Sequence, residues 1–309
     1  MKSTVAPSHT AITQDYPGLF GSYCELTKFR LSALVVVTTA VGFVMASDLG
    51  IEWMTLLWTV LGTACCACAA AALNQVVESS RDAKMDRTKN RPIPAGHIST
   101  IHAFIVGVLL SYIGVAILSF GASVGAAGLA LLTILIYILI YTPLKSRTSF
   151  NTIVGAVVGA IPPLIGWVAA TGSIGLGGII LGGILFVWQL PHFLALAWMY
   201  REDYEQGGFK MLPSLDASGE LTARTSVVTS LCLVPLVLFM SITGSTSVLF
   251  AIVGSILGLW LTGRSIAFWR HRDHETARRL FFGTIIYLPI LLAFMLIDRQ
   301  TIHWIEMGT

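Results

Sequence analysis

Long apolar runs alternate with short polar segments along the whole chain. Each run is about 20 residues long, the length that an α-helix needs to cross the hydrocarbon core of a bilayer. The nine runs cover approximately residues 29–48, 53–77, 101–120, 124–142, 152–171, 176–200, 225–244, 247–267 and 280–298. Because each run is continuously apolar and shows no alternation with polar positions, the pattern predicts helices and excludes a membrane β-barrel. The predicted fold class is all-α: a polytopic transmembrane bundle of about nine helices.

Composition and charge placement agree with this prediction. Of the 309 residues, 55% are hydrophobic and only 11% are charged, against about a quarter charged in soluble domains. The lipid bilayer is therefore the expected partner. The net charge of +3 does not indicate nucleic-acid binding, because the basic residues lie between apolar runs. If the N-terminus is cytoplasmic, all but one of the 19 Lys and Arg residues fall on the inner side, and Arg299 is the exception. The positive-inside rule therefore favours a cytoplasmic N-terminus.

The polar segments divide the chain unevenly. Residues 1–28 are predicted to be a polar tail, 29–298 the transmembrane domain, and 299–309 a short C-terminal tail. Two long charged inner loops, 78–100 and 201–224, follow the second and the sixth run. This spacing predicts two four-helix halves around a central cavity plus a ninth helix, with both loops facing the same compartment. The first 27 residues resemble neither a secretory signal nor a transit peptide, which favours a bacterial inner membrane.

Four oxygen-bearing side chains recur every four residues after the second run. They are Asn74, Glu78, Asp82 and Asp86. Each step advances a helix by one turn plus about 40° and by about 6 Å, so the four would form one stripe. No glycine or proline lies between residues 62 and 92, so a single helix is expected to carry all four.

A cluster of cations follows the stripe, at Arg81, Lys84, Arg87, Lys89 and Arg91. Carboxylates and cations together suit a diphosphate bridged to Mg²⁺, which takes one or two protein carboxylates plus phosphate oxygens. The alternative is a solvated loop that contacts anionic lipid. Asn74 favours the first interpretation, because a lipid-contacting loop does not need an amide inside an apolar run.

The segment from Asn74 to Pro92 carries a resemblance to a known family. Asn-x-x-x-acid-x-x-x-Asp is similar to the first aspartate-rich motif of the UbiA family of intramembrane prenyltransferases, and the longer string resembles the branch that farnesylates heme. Further segments agree in order and spacing: Tyr141-Thr-Pro-Leu-Lys145, Gly159-Ala-Ile-Pro-Pro-Leu-Ile-Gly-Trp167, Trp188-Gln-Leu-Pro-His-Phe193, and Asp203-Tyr204 leading to Met211-Leu-Pro213. The match spans about residues 25–298.

The resemblance implies transfer of a farnesyl group from farnesyl diphosphate to a vinyl group of heme B, with Mg²⁺ as cofactor. It also implies association with a downstream heme-modifying enzyme or a terminal oxidase assembly. The metal and catalytic residues it implies are Asn74, Glu78, Asp82 and Asp203, with Asp86 as an addition. The substrate-binding residues it implies are Arg87, Arg91, Lys145, Lys210, Tyr141, Trp188, Gln189 and His192.

Other features of the sequence leave alternatives open. His192 could ligate heme iron or form a structural hydrogen bond. Prolines inside the fifth and sixth runs could be packing kinks or part of a cavity wall. The Cys65–Cys68 cluster is interpreted as helix packing in preference to a soft-metal site. The basic segment from Arg264 to Arg279 is expected to anchor the inner face, with binding of the heme propionates as a second interpretation.

Two other functions fit parts of the pattern. A UbiA-type enzyme that prenylates a quinone precursor or another aromatic acceptor would have the same metal site. A transporter would also combine nine crossings with kinked helices. The charged residues concentrate at one face, away from the midplane, which disfavours the transporter.

Overall fold

The computed structural model describes residues 18–47 and 50–300. Apart from turns and one isolated β-bridge between Thr246 and Arg299, this part of the chain is helical. The helices are α1 (Leu19–Leu26), α2 (Phe29–Ala46), α3 (Trp53–Asp82), α4 (Thr100–Gly121), α5 (Val124–Leu135), α6 (Thr142–Leu144), α7 (Asn151–Thr171), α8 (Leu176–Met199), α9 (Arg201–Gln206), α10 (Leu212–Leu215), α11 (Glu220–Ile242), α12 (Val248–His271) and α13 (His274–Ile297). A π-helical segment, Ile136–Tyr141, joins α5 to α6.

Nine helical spans in the described part of the chain are long and apolar enough to cross a membrane. They coincide with the nine predicted runs, and the prediction of an all-α polytopic bundle is confirmed. The differences lie at the ends of helices. Helix α3 continues to Asp82, and α11 begins at Glu220, so each helix takes in residues that were assigned to an inner loop.

Part of the predicted polar tail is helical. Residues 1–17 and 301–309 lie outside the described residues, whereas Leu19–Leu26 form α1. Leu26 is fully buried and packs with Ala72, Ile93 and Ile98, from the second span and the loop that follows it. Helix α1 therefore supports the first inner loop.

The spans share two apolar cores. One is formed by α2 to α5 together with α7, with Phe43, Leu118 and Ile165 among its buried members. The other is formed by α2, α7, α8, α11, α12 and α13 and includes Leu233 and Tyr287. Because α2 and α7 contribute to both cores, they join the two halves of the bundle. Helix α13 packs against α8 and α12.

Helices α2 and α7 approach each other closely at two glycines. A Cβ atom on Gly42 would lie 2.0 Å from the Pro163 carbonyl oxygen, and one on Gly166 would lie 1.9 Å from the Thr39 carbonyl oxygen. In a bilayer, where no hydrophobic effect drives helices together, such close backbone contact supplies much of the packing energy. Prolines 162 and 163 lie inside α7, which continues through them.

The cysteine cluster contributes to helix packing. Cys66 is buried in the first core beside Leu118, at the contact between α3 and α4. All five cysteines are free. The structure therefore agrees with the packing interpretation.

Two charged side chains hydrogen-bond to helix ends at the end of the bundle opposite the inner loops. Arg299 donates to the carbonyl oxygens of Val44 and Ser47, at 2.6 and 2.7 Å, where α2 ends. Asp298 accepts from the amides of Ser247 and Phe250, at 2.8 and 3.2 Å, where α12 begins. Helix ends leave such groups without intrahelical partners. This role explains why one arginine lies at the end that is otherwise poor in basic residues.

Candidate active site

The last three turns of α3 carry three buried polar side chains on one face. Asn74 and Asp82 are fully buried, and Glu78 is 3% exposed. Their four-residue spacing aligns them, as expected from the pitch of an α-helix. Isolated carboxylates in such surroundings would be unstable, so each requires a compensating partner.

Each of these three side chains contacts a different cation. Lys145 Nζ lies 2.9 Å from Glu78 Oε1, and Arg91 Nη1 lies 2.6 Å from Asp82 Oδ2. Asn74 Oδ1 accepts from Lys28 Nζ at 2.8 Å. The cations come from three separate segments of the chain. The face of α3 is therefore the centre of a charged network that the tertiary fold assembles.

The π-helical segment positions one more member of this network, Thr142. Pro143 has no N–H to donate, and the helix widens over Ile136–Tyr141 just before it. There Thr142 Oγ1 donates to the Tyr137 carbonyl oxygen at 2.7 Å and accepts from Asn74 Nδ2 at 3.1 Å. The amide of Asn74 is thus held at both ends. The ring of Tyr141 lies under Lys145, with 4.6 Å between Nζ and the ring centroid.

Asp86 does not join the stripe. Helix α3 ends at Asp82, where Thr88 Oγ1 donates to the Asp82 carbonyl oxygen, so the prediction of one helix carrying all four side chains is wrong beyond residue 82. Met85 turns inward, and the Asp86 side chain is 80% exposed and pairs with Lys89 at 2.6 Å. That hydrogen bond lowers the pKa of Asp86.

The two inner loops meet at Asp203. Its Oδ1 accepts from the backbone N–H of Asp86 at 2.8 Å, and Arg87 Nε lies 3.9 Å from its Oδ2. Arg87 also donates to the Tyr204 hydroxyl at 3.3 Å and stacks over the ring of Tyr200. The two loops therefore meet at these residues, as expected.

Apolar packing joins the same loops. Met85 is buried with Phe209 and Met211, and Tyr204 packs against them. The Phe209 ring also lies 5.8 Å from Lys145 Nζ, which links the second loop to the network on α3. Lys210 has an exposed side chain, and it is its backbone N–H that donates to the Lys145 carbonyl oxygen at 2.7 Å.

A second cluster of predicted residues lies between α8 and α13. Trp188 Nε1 donates to the Thr284 carbonyl oxygen at 2.9 Å, and the His192 ring stacks between Trp188 and Phe281, with centroid distances of 5.3 and 4.7 Å. Gln189 is separate: it faces α7, where its Oε1 occupies the space that a Cβ on Gly159 would need.

The hydrogen bonds of Thr284 assign the tautomer of His192. Thr284 Oγ1 donates to the Phe281 carbonyl oxygen at 2.6 Å, so it accepts from His192 Nδ1 at 2.8 Å. The proton is thereby placed on Nδ1, and Nε2 carries a lone pair.

A cleft of about 740 Å³ opens at the end of the bundle that carries the loops. Both loops contribute to its walls, and so does the turn between α12 and α13. Its lining includes Arg87, Arg201, Asp203, Arg272 and His274. The cleft lets a water-soluble anion approach the residues of the two loops.

Comparison with known proteins identifies the family of this chain. The family model of the UbiA prenyltransferase family matches residues 35–294. The chain belongs to the UbiA prenyltransferase family. It is 42% identical over 283 residues to a protoheme IX farnesyltransferase of Opitutus terrae, covering 91% of this chain and 95% of that protein. It is 41% identical over 276 residues to one of Salinibacter ruber, covering 89% and 98%.

Solved structures of UbiA homologues share the fold. One from Archaeoglobus fulgidus, bound to DMAPP and Mg²⁺, superposes with a TM-score of 0.73 at 14% identity and covers 90% of this chain and 98% of that one. Membership of this family of enzymes excludes the transporter interpretation.

The oxygen atoms of this candidate site suit a metal ion shared with a phosphate. Asp82 Oδ1 and Asp203 Oδ2 are buried without a hydrogen-bond donor. Within residues 18–47 and 50–300, no three or more His, Cys, Asp or Glu side chains are grouped as a ready-made cage. Mg²⁺ typically binds through one or two carboxylates and completes its shell with phosphate oxygens and water. The residues present fit that mode of binding.

The sequence did not single out Lys28 or Thr284. Lys28 joins α1 to α2 in the left-handed conformation, with φ of 46°. Burial, reinforced by Arg91 and Lys145, lowers its pKa to about 7. A lysine at the start of an apolar run has the same sequence pattern as a lysine that only sets the orientation of the chain in the membrane. No local signal could therefore identify Lys28 as a member of the site. Thr284 lies in an apolar run, 92 positions from His192.

Proposed function

We propose that this chain transfers the farnesyl group of farnesyl diphosphate to a vinyl group of protoheme IX, giving heme O and releasing diphosphate. The observation that carries the proposal is the face of α3, on which Asn74, Glu78 and Asp82 each contact a separate cation. Family membership and the activity in the names of the most similar relatives point to the same reaction.

The residues of the charged network would bind the diphosphate and its metal ion. Glu78 and Asp82, with Asn74, would hold Mg²⁺ on the first side, and Asp203 on the second. The ion would supply charge neutralisation for the leaving diphosphate. Lys28, Arg91 and Lys145 would turn from α3 towards phosphate oxygens, and Arg87 would do so from the first loop. Lys210 has an exposed side chain, and it reaches Lys145 through its backbone N–H.

The bond changes require a site that is charged at one end and dry at the other. The C1–O bond of farnesyl diphosphate breaks, and its electron pair leaves with the diphosphate. The terminal vinyl carbon of heme attacks C1, which places positive charge on the carbon beside the macrocycle. Water adds to that carbon and loses a proton, giving a hydroxyethylfarnesyl substituent. The bundle interior keeps bulk water from the allylic cation, and the charged network positions the leaving group.

The acceptor side is assigned to α8 and α13. Trp188 and Phe281 offer flat apolar surface to a porphyrin, and His192 presents Nε2 with a free lone pair. We place the heme against this cluster with His192 as an axial ligand of its iron. Tyr141 lines the donor side beside Lys145. Gln189 supports the wall where α7 packs on α8.

The orientation in the membrane follows from charge. With the N-terminus in the cytoplasm of a bacterium, the inner loops and the cleft face the cytoplasm, where farnesyl diphosphate is soluble. Single cysteines introduced at Asn90 and Ser173 should react with an impermeant reagent from opposite sides. Reaction of both from one side would exclude the proposed topology. Delivery of the product to a downstream heme-modifying enzyme or oxidase assembly belongs to the same proposal.

The decisive experiment incubates membranes containing the protein with heme B, farnesyl diphosphate and Mg²⁺, and measures extracted hemes by mass spectrometry. We expect a heme that has gained a farnesyl group plus water, together with released diphosphate. Unchanged heme from folded, inserted protein would contradict the proposal. The same preparation would then be given aromatic quinone precursors, the alternative acceptors for a UbiA-type site.

A further inference from the structure

A groove of about 320 Å³ lies between α12 and α13, outside the diphosphate site and beside the proposed heme cluster. Its walls carry three arginines and one carboxylate together with two aromatic rings: Arg264, Arg278, Arg279, Glu275, Trp260 and Phe282. Arg278 lies four residues after the start of α13, about 6 Å along its axis, and Arg264 lies about 10 Å from the end of α12. The groove is therefore near the interfacial level of a bilayer, at the end of the bundle that carries the inner loops.

Two of these arginines are held by aromatic rings. Arg264 lies over the ring of Trp260, at 5.4 Å from its centroid, and Arg278 lies over Phe282, at 5.6 Å. In the part of the chain that the structure describes, neither has an acidic partner, whereas Arg279 pairs with Glu275. Ring stacking orients a guanidinium and leaves its N–H groups available for an anion.

The groove continues into an apolar stripe that faces lipid. Ile286 and Ile290 follow Phe282 at four-residue intervals on α13, and each is about half exposed. On α12, the exposed Ile256 precedes Trp260 by one turn. Thr284, which contacts His192, lies about 200° around α13 from Phe282. Phe281 of the proposed heme cluster contacts the Phe282 ring, with 5.6 Å between the ring centroids, so the groove adjoins that cluster at one aromatic pair.

We infer that this groove binds an anionic glycerophospholipid, whose phosphate is held by Arg264 and Arg278 and whose acyl chain lies along Phe282, Ile286 and Ile290. Basic pockets between transmembrane helices commonly bind acidic lipid headgroups. Charge complementarity selects the headgroup, and the apolar stripe distinguishes a lipid from a soluble phosphate. The exposed apolar stripe beyond the arginines makes a lipid of the bilayer a better occupant than the propionates of a heme bound at His192.

The test measures retained lipid by native mass spectrometry. Detergent-solubilised protein is mixed with phosphatidylglycerol or with phosphatidylcholine of identical acyl chains. We expect wild-type protein to retain one phosphatidylglycerol at least tenfold more strongly than phosphatidylcholine. The double variant Arg264→Gln/Arg278→Gln should lose this preference. The control Arg224→Gln/Arg270→Gln removes two charges from the same end of the bundle but outside the groove, and it should keep the preference.

Three further measurements distinguish a lipid site from general surface charge and from a site for soluble phosphate or heme. Equal loss in the groove variant and the control would indicate general surface electrostatics and would overturn the site. Full retention by Arg264→Lys/Arg278→Lys would overturn the role given to the ring-stacked guanidinium groups, because lysine keeps the charge but lacks the planar guanidinium. Displacement of the lipid by millimolar inorganic phosphate would assign the groove to soluble phosphate, and displacement by stoichiometric heme would assign it to heme. Size-exclusion profiles confirm that each variant is folded.

Discussion

The backbone N–H of Asp86 donates to Oδ1 of Asp203, with 2.8 Å between the two atoms. This hydrogen bond joins two loops that lie 117 positions apart in the sequence. The first loop contributes its main chain to the contact, and the second contributes a carboxylate. Asp203 Oδ2, buried and without a donor, remains available for a metal ion.

This relationship predicts unequal effects at two aspartates. Asp203→Asn removes the charge that accepts the amide and faces Arg87, and we expect turnover to fall at least about 100-fold, the order seen for loss of one preorganised electrostatic contact. Asp86→Asn preserves the amide donor and should lose far less. Heme O formation by matched amounts of inserted protein measures both. Equal losses would mean that the exposed carboxylate of Asp86 also acts in the site.

Asp82→Asn is expected to abolish measurable turnover while leaving the protein folded. The substitution keeps the volume of the side chain but removes the charge next to Arg91 and one anionic ligand for Mg²⁺. Glu275→Gln is the matched control, because it removes a carboxylate from an exposed ion pair at the same end of the bundle. Turnover is compared with the thermal unfolding midpoint in detergent. Near-normal turnover of Asp82→Asn would remove Asp82 from the site.

The spans were predictable because membrane crossing needs only length and continuous hydrophobicity, which the sequence displays directly. The ends of helices were less predictable. Helix α3 ends at Asp82 without a glycine or proline. The Thr88 hydroxyl donates a hydrogen bond to the Asp82 carbonyl oxygen, and Met85 packs between the two loops. Such a boundary depends on tertiary contacts that no local pattern encodes.

The site was predictable where its residues share one helix. The four-residue spacing of Asn74, Glu78 and Asp82 is visible in the sequence, and the family resemblance connected it to Asp203. Lys28 and Thr284 could not be found in this way, because each acquires its role from a partner in a distant helix. Asp86 is the opposite case. It continues the four-residue spacing in the sequence, but α3 ends at Asp82, so Asp86 does not lie on the same helix face as the other three residues.

Lys28 is expected to contribute to diphosphate binding. Lys28→Met removes a cation from the buried end of the network, and we expect the inhibition constant of inorganic diphosphate, measured with Mg²⁺, to rise about tenfold, as for loss of one charge-assisted hydrogen bond. Arg30→Met removes an exposed charge two residues later and should change the constant little. Equal effects of the two substitutions would assign the role of Lys28 to surface charge alone.

Arg299→Ala should destabilise the bundle without affecting the chemistry. The guanidinium satisfies two carbonyl oxygens at the end of α2, and its loss is expected to cost about 1–3 kcal/mol of unfolding free energy. Gln300→Ala changes the neighbouring side chain and serves as the control. Thermal unfolding in detergent measures both, with turnover of the remaining folded protein unchanged. An unaltered unfolding midpoint would mean that solvent or lipid satisfies these carbonyl oxygens equally well.

His192→Ala tests the acceptor side. If Nε2 ligates heme iron, purified wild-type protein titrated with heme B should give a Soret band characteristic of axial histidine, and the variant should lose that band while still binding heme through Trp188 and Phe281. His102→Ala is the control, because that ring lies at the start of α4 and hydrogen-bonds to Tyr23. Thr284→Val should keep the ligand but remove the acceptor that fixes the proton on Nδ1, so its spectrum should be broadened or shifted, with the band retained. An identical Soret band in wild type and His192→Ala would exclude ligation, and the hydrogen bond to Thr284 would then be structural, tying α8 to α13.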